Sequence, residues 1–137
     1  MRRDDEGYTL TEMLVVIGII ALLAAALMPA LYGQLSRARV HTTQLQLQTV
    51  ASALEQYRSD TGHFPSEKDG LQALVVDPKD APGWIGPYLR KPKALLDPWE
   101  HPILYSLDPT GDHYELTSLG SDGKPGGDGT AADLNEP

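Results

Sequence analysis

Cysteine is absent from all 137 residues, which excludes disulfides, thiolate metal sites and thiol catalysis together. Charge is missing between Glu12 and Arg37. Proline is nearly missing from the front of the chain, since ten of its eleven prolines follow residue 62. The C-terminal half must therefore be rich in turns and poor in long helix. Base is scarce at the far end, where nine carboxylates from Asp97 onward face only Lys124. That imbalance argues against nucleic acid or anionic lipid as a partner of this end and favours a cation.

A catalytic constellation is also lacking. His41, His63, His101 and His113 are scattered, with no pair at metal-ligand spacing, no serine in a nucleophile elbow and no phosphate-binding glycine loop before a helix. These histidines read as structural or surface residues, and the chain is not expected to be an enzyme. Trp84, Tyr88, Trp99 and Tyr105 are expected to form a small core rather than a ligand cage.

What is present begins with the apolar run from Met13 to Leu35. About 20 helical residues cross a hydrocarbon core of roughly 30 Å, so this run is long enough to span a bilayer. A buried core helix is the alternative, but so small a chain has nothing with which to cover every face of it. A cleaved secretory signal fits poorly: the apolar segment is too long and Pro29 to Ser36 is a weak cleavage site. Arg2 and Arg3 before the run compete with Arg37 and Arg39 after it, so flanking charge leaves the orientation undecided.

Helical periodicity continues past the run. Leu35, Ala38, Thr42, Leu45, Thr49, Ala53 and Tyr57 recur at spacings of three and four, widened by Val50 and Leu54, with Gln46 off the stripe. The spacing predicts one helix from about Tyr8 to Ser59, stopped by Gly62 and Pro65. Beyond it, one or two helical turns are expected over Asp69 to Val76, capped by Ser66 or Asp69. A proline-rich loop should follow from Asp77 to Pro98, and then a hairpin of Ile103–Leu107 with His113–Leu119. Fewer than about 80 residues follow the helix, a size at which burial alone leaves little margin without a metal, a packed helix or a neighbour.

Glu12 is an ionised residue at the mouth of a spanning helix. A charge at the bilayer centre costs on the order of 2.5 to 3.5 kcal/mol, so a partner is expected. Cutting the chain between Gly7 and Tyr8 would create a cationic α-amine four residues before Glu12 and supply one.

The segment Gly7-Tyr8-Thr9-Leu10-Thr11-Glu12-Met13-Leu14-Val15-Val16-Ile17 resembles the leader junction of type IV pilins and pseudopilins. The resemblance implies that a prepilin peptidase in the inner membrane cuts after Gly7 and methylates Tyr8. It casts Glu12 as the acid that pairs with a neighbouring subunit's N-terminus. Tyr8 replaces the usual Phe, and Thr11 stands where an aliphatic residue is more common. Pro29 occupies a position where family members often carry a helix-bending proline; a simple kink is the other reading. The implied fold is α+β and pilin-like: a long N-terminal helix, half transmembrane and half amphipathic, packed on a loop-rich head with an antiparallel sheet. The implied organisation is a cleaved leader over 1–7, an assembly half over 8–35, an amphipathic half over 36–62 and a periplasmic head over 63–137.

The stretch from Leu119 reads LGSDGKPGGDGTAADL. Oxygen ligands spaced by glycines suit a hard cation such as calcium. The EF-hand pattern from Asp122 fails at Lys124 and Gly126, the Gly-Gly-x-Gly-x-Asp pattern from Gly126 meets Ala131 where it needs Asp, and composition alone describes a flexible acidic tail. Major pseudopilins of the type II secretion system carry a similar calcium loop. By that resemblance Leu119 would offer a carbonyl and Asp122 a side chain, with Asp128 or Asp133 adding a carboxylate, although Ala131 stands where the family usually has a third Asp.

The expected function is therefore the major subunit of a periplasmic pseudopilus, a homopolymer that works with minor pseudopilins and an inner-membrane assembly platform to export folded proteins. The alternatives are a minor pseudopilin, a type IV pilin subunit, or a membrane-tethered periplasmic binding module that keeps its first seven residues.

Overall fold

The computed structural model describes residues 8–137. Helix α1 runs from Leu10 to Thr61, and the chain divides into two compact units, one ending at Ser36 and the other spanning Arg37–Pro137. In the first unit α1 stands alone and passes through Pro29 as helix. Fifteen large apolar side chains between Leu10 and Leu35 are exposed on it. Sheltering them from water would release on the order of 20 kcal/mol, more than the whole net stability of a typical domain.

The second unit is built on the remainder of α1. Its buried face is Thr43, Leu47, Val50, Ala53, Leu54 and Tyr57, which corrects the expected stripe. Thr42, Leu45 and Thr49 face outward, and the threonines return their hydroxyls to the carbonyls of Ala38 and Leu45. The expected Val50, Ala53, Leu54 and Tyr57 are on the buried face, where Thr43 and Leu47 replace Thr42, Leu45 and Thr49. Gly62 ends the helix at φ +84°, donating its N–H to the Arg58 carbonyl at 2.8 Å, a left-handed closure suited to glycine.

The segment Gly70–Leu74 is a 3-10 turn, shorter than expected, and a second such turn spans Pro92–Leu95. Asp69 is the N-cap of the first but makes no side-chain cap bond, and Ser66 Oγ accepts the Asp69 N–H at 3.2 Å just before the turn begins. Strands β1 (Leu104–Leu107) and β2 (Tyr114–Ser118) form the expected hairpin, with Leu104 opposite Thr117 and Leu107 opposite Tyr114. A third strand, β3 (Leu134–Glu136), pairs antiparallel with β2, Ser118 facing Leu134. The acidic segment is thus not a free tail. It leaves β2, makes two short 3-10 turns at Gly120–Asp122 and Gly129–Ala131, and returns to the sheet.

Tyr57, Leu54, Leu74 and Leu116 are the centre of the core, joined by Phe64, Leu89, Leu95 and Ile103. Trp84, Tyr88 and Tyr105 pack on its margin, whereas Trp99 lies outside it, a correction to the expected aromatic core. The polar ends of two marginal rings are satisfied: Trp84 Nε1 donates to the Ala73 carbonyl and Tyr105 Oη to that of Pro65, both at 2.8 Å. Burial pushes the Tyr105 phenol well above its ordinary pKa, with a lesser push from Tyr57 and Glu67.

Candidate functional site

The first turn of α1 is organised by Thr9. Its Oγ1 accepts the Glu12 N–H at 3.2 Å, while its carbonyl accepts the first intrahelical bond, from Met13, at 3.1 Å. Thr9 is therefore the N-cap, and Glu12 occupies the third helical position, where a carboxylate is favoured by the helix dipole. Sequence reading treated Thr9 only as part of a leader motif, yet the Thr-x-x-Glu spacing of a capping box was legible. Tyr8, immediately before the cap, is 77% exposed. Gly7, the other half of the expected cleavage site, lies outside the described residues. Pro29 sits inside α1, where its missing N–H leaves the Ala25 carbonyl without its usual helical partner.

The acidic loop folds around its own backbone. A Cβ on Gly120, at φ +65°, would stand 2.8 Å from the carbonyl oxygens of both Thr130 and Ala132, and one on Gly127 would stand 2.4 Å from that of Ala131. Only glycine tolerates these approaches, so the loop's two ends are closed by carbonyls. Asp133 Oδ2 accepts the Gly126 N–H at 2.8 Å, but Asp133 Oδ1 is buried without any hydrogen-bond partner. An orphaned buried carboxylate oxygen costs about 1 to 3 kcal/mol or more, which a cation would relieve. Carboxylate and carbonyl oxygens are the donor type that a hard cation takes. Asp122 and Asp128 are exposed; Asp122 Oδ1 instead accepts the Lys124 N–H at 3.2 Å. Among the described residues no three His, Asp or Glu side chains converge as a metal site, so backbone oxygens must make up much of any ligand set.

Beneath the loop lies a polar hub that sequence reading missed. Asp97 is buried, and its Oδ1 accepts the N–H groups of Trp99 and His101, both at 2.9 Å, while its Oδ2 accepts the Ser118 hydroxyl at 2.8 Å. His101 Nδ1 donates to the Gly120 carbonyl at 2.9 Å and stands 3.7 Å from Asp97 Oδ2. Asp97 and His101 together link the end of β2, the 97–101 turn and Gly120 of the acidic loop. Its only sequence signal was an isolated Asp before a proline.

A family model described as type II secretion system, protein G matches residues 30–137, and one described as a prokaryotic N-terminal methylation motif matches residues 2–28. The chain belongs to the type II secretion system protein G family. The core protein G of Xanthomonas campestris pv. campestris is 36% identical over 133 residues, covering 97% of this chain and 90% of that one. Its counterpart in Pseudomonas aeruginosa is 36% identical over 137 residues, with 97% and 95% covered. The crystal structure of the major pseudopilin from enterohaemorrhagic Escherichia coli is similar in fold, with a TM-score of 0.57 at 27% identity over 77% of this chain and 91% of that one. Family membership makes the chain a pseudopilin, a structural subunit and not an enzyme, with the α+β pilin-like architecture. It also makes the apolar half of α1 the membrane anchor of a pseudopilus subunit.

Proposed function

We propose that this chain is the major subunit of a periplasmic pseudopilus, cut after Gly7 by a prepilin peptidase of the inner membrane and methylated on Tyr8. The observation that carries the reading is the uncovered apolar half of α1, opened by a Thr9-capped turn that holds Glu12. Before assembly that surface lies in the inner membrane as a single pass, with the head in the periplasm. In the filament it is covered by copies of itself, so apolar burial is nearly conserved and the transfer costs little. Glu12 of one copy would pair with the new N-terminus of a neighbour and set the register, while Pro29 adjusts the helix. An inner-membrane platform would feed the growing polymer, minor pseudopilins would begin it, and its growth would push folded proteins outward.

In the head, Asp133 and the carbonyl of Leu119 would hold calcium with Asp122 or Asp128 as a further carboxylate. The unpartnered oxygen of Asp133 favours that residue over Asp128. Calcium, when bound, supplies the positive charge that draws these oxygens together and takes the part a disulfide plays elsewhere.

The test is a Glu12→Ala variant. It should insert in the membrane and lose its leader, yet form no filament; normal filaments would refute the pairing role.

A further inference from the structure

We infer that the free edge of β1, with the groove beside it, takes an extended basic segment of a partner protein as an added strand. β1 is an outer strand of the sheet and pairs with β2 alone. In an antiparallel ladder the backbone groups of successive residues point to alternate sides. Asp108 donates its N–H toward β2, to the His113 carbonyl, and Ile103 donates its own away from β2, to the Leu95 carbonyl, both at 2.9 Å. Tyr105 and Leu107 share the direction of Ile103, so their N–H and C=O groups lie along the outer edge. Among the described residues none pairs with them there. The 92–96 strip starts to cover this edge, since Leu96 bridges antiparallel to Pro102. Next to that bridge, however, Pro92–Leu95 winds into a 3-10 turn, and Gln46 Nε2 donates to the carbonyls of Ala94, at 2.8 Å, and Leu96. The strip is thereby held off Tyr105 and Leu107, whose open edge is a template for another chain.

The 3-10 turns at Gly70–Leu74 and Pro92–Leu95 and the start of β1 line a groove of about 820 Å³. Its floor is apolar, made by the buried Leu71, Leu95 and Ile103, and Glu67, Asp69 and Glu100 add three carboxylates. Among the described residues that line it Lys93 is the one base, and it stands 3.7 Å from Glu100. The groove is therefore net negative, and charge complementarity selects a basic segment over an acidic one. Glu100 holds φ +68°, a left-handed conformation that glycine adopts with less strain. Its carboxylate thus stands on the groove against the preference of its own backbone. In strand addition main-chain hydrogen bonds give affinity and a groove beside the edge reads the side chains. Tyr105 and Leu107 supply the first, and the acid-lined floor supplies the second.

The experiment uses the full chain in phosphatidylcholine nanodiscs at one copy per disc, with a hexapeptide of alternating lysine and valine as the probe. Without peptide, the Tyr105 and Leu107 amides should exchange about tenfold or more faster than those of Leu104 and Ser106, which face β2. With peptide at about ten times its dissociation constant, both should slow by roughly tenfold. The same peptide with every amide N-methylated keeps its charge but cannot donate to the edge, and it should give no slowing. A glutamate–valine peptide should give none either. Glu100→Gly relaxes the backbone, so its head should melt no lower than wild type while the lysine–valine peptide binds about threefold more weakly. Slowing by the N-methylated or the glutamate–valine peptide equal to that by the lysine–valine peptide overturns the inference. Tyr105 and Leu107 amides already protected in the absence of peptide overturn it too, and protection that arises without peptide at two copies per disc does so in favour of a second copy.

Discussion

Asp97 shows how one buried carboxylate organises a small head. It accepts from two backbone amides and one hydroxyl, and its removal would strand all three donors. Asp97→Ala should lower unfolding free energy by about 3 kcal/mol in urea titrations, whereas a surface acid such as Glu115 changed to Ala should cost a few tenths. Asp108 makes a comparable cluster on the hairpin turn, taking the Thr110 hydroxyl at 2.6 Å and the N–H groups of Asp112 and His113. The Thr110 bond, followed by those backbone bonds, holds its carboxyl below the usual range. A folded pKa below the unfolded one means the stabilisation is fully present above the ordinary carboxylate pKa of about 3.9. It is lost as pH falls through the lowered folded value. Asp108→Asn should thus melt lower than wild type at neutral pH, with the difference shrinking toward pH 3; a constant difference would contradict this account. The turn around Asp108 was legible because its Pro, Gly and Asp residues are local signals. Asp97 was not, because its partners lie up to 21 residues away and no spacing rule joins them.

At the scale of elements, α1 and the β1–β2 hairpin were readable from period and turn chemistry, and their observed bounds differ from expectation by one or two residues. The buried face of α1 was misread where Thr42, Leu45 and Thr49 mimic an apolar stripe. The packing partner decides which face is covered, and Gln46, excluded from the stripe, is held there by two carbonyls. Strand β3 escaped notice because it has three residues and follows a run of glycines. Its pairing with β2 closes the acidic loop into a ring of carbonyls around Gly120 and Gly127. Gly120→Ala should therefore destabilise the loop severely, by more than the roughly 1 kcal/mol expected of a positive φ alone, as read by exchange of the 119–133 amides. Calcium should raise the melting temperature of the wild-type head and chelation should lower it, while Asp133→Ala should abolish the increment. Melting that ignores chelation would remove calcium from the account.

For the whole molecule, the decisive fact is an imbalance between its two units. The head buries its apolar residues around Tyr57 and Leu116, while among the described residues none covers the apolar half of α1. Such a surface requires lipid or other copies of itself, and membership of a pseudopilin family accounts for a membrane anchor and for assembly into a pseudopilus. On the proposed reading, hydrolysis after Gly7 would supply a cation to pair with Glu12. Pairing and polymerisation would both depend on that cut. The most direct measurement is the intact mass of the chain extracted from membranes. The expected mass is that of residues 8–137 plus one methyl group; a polypeptide still beginning at Met1 would contradict the account.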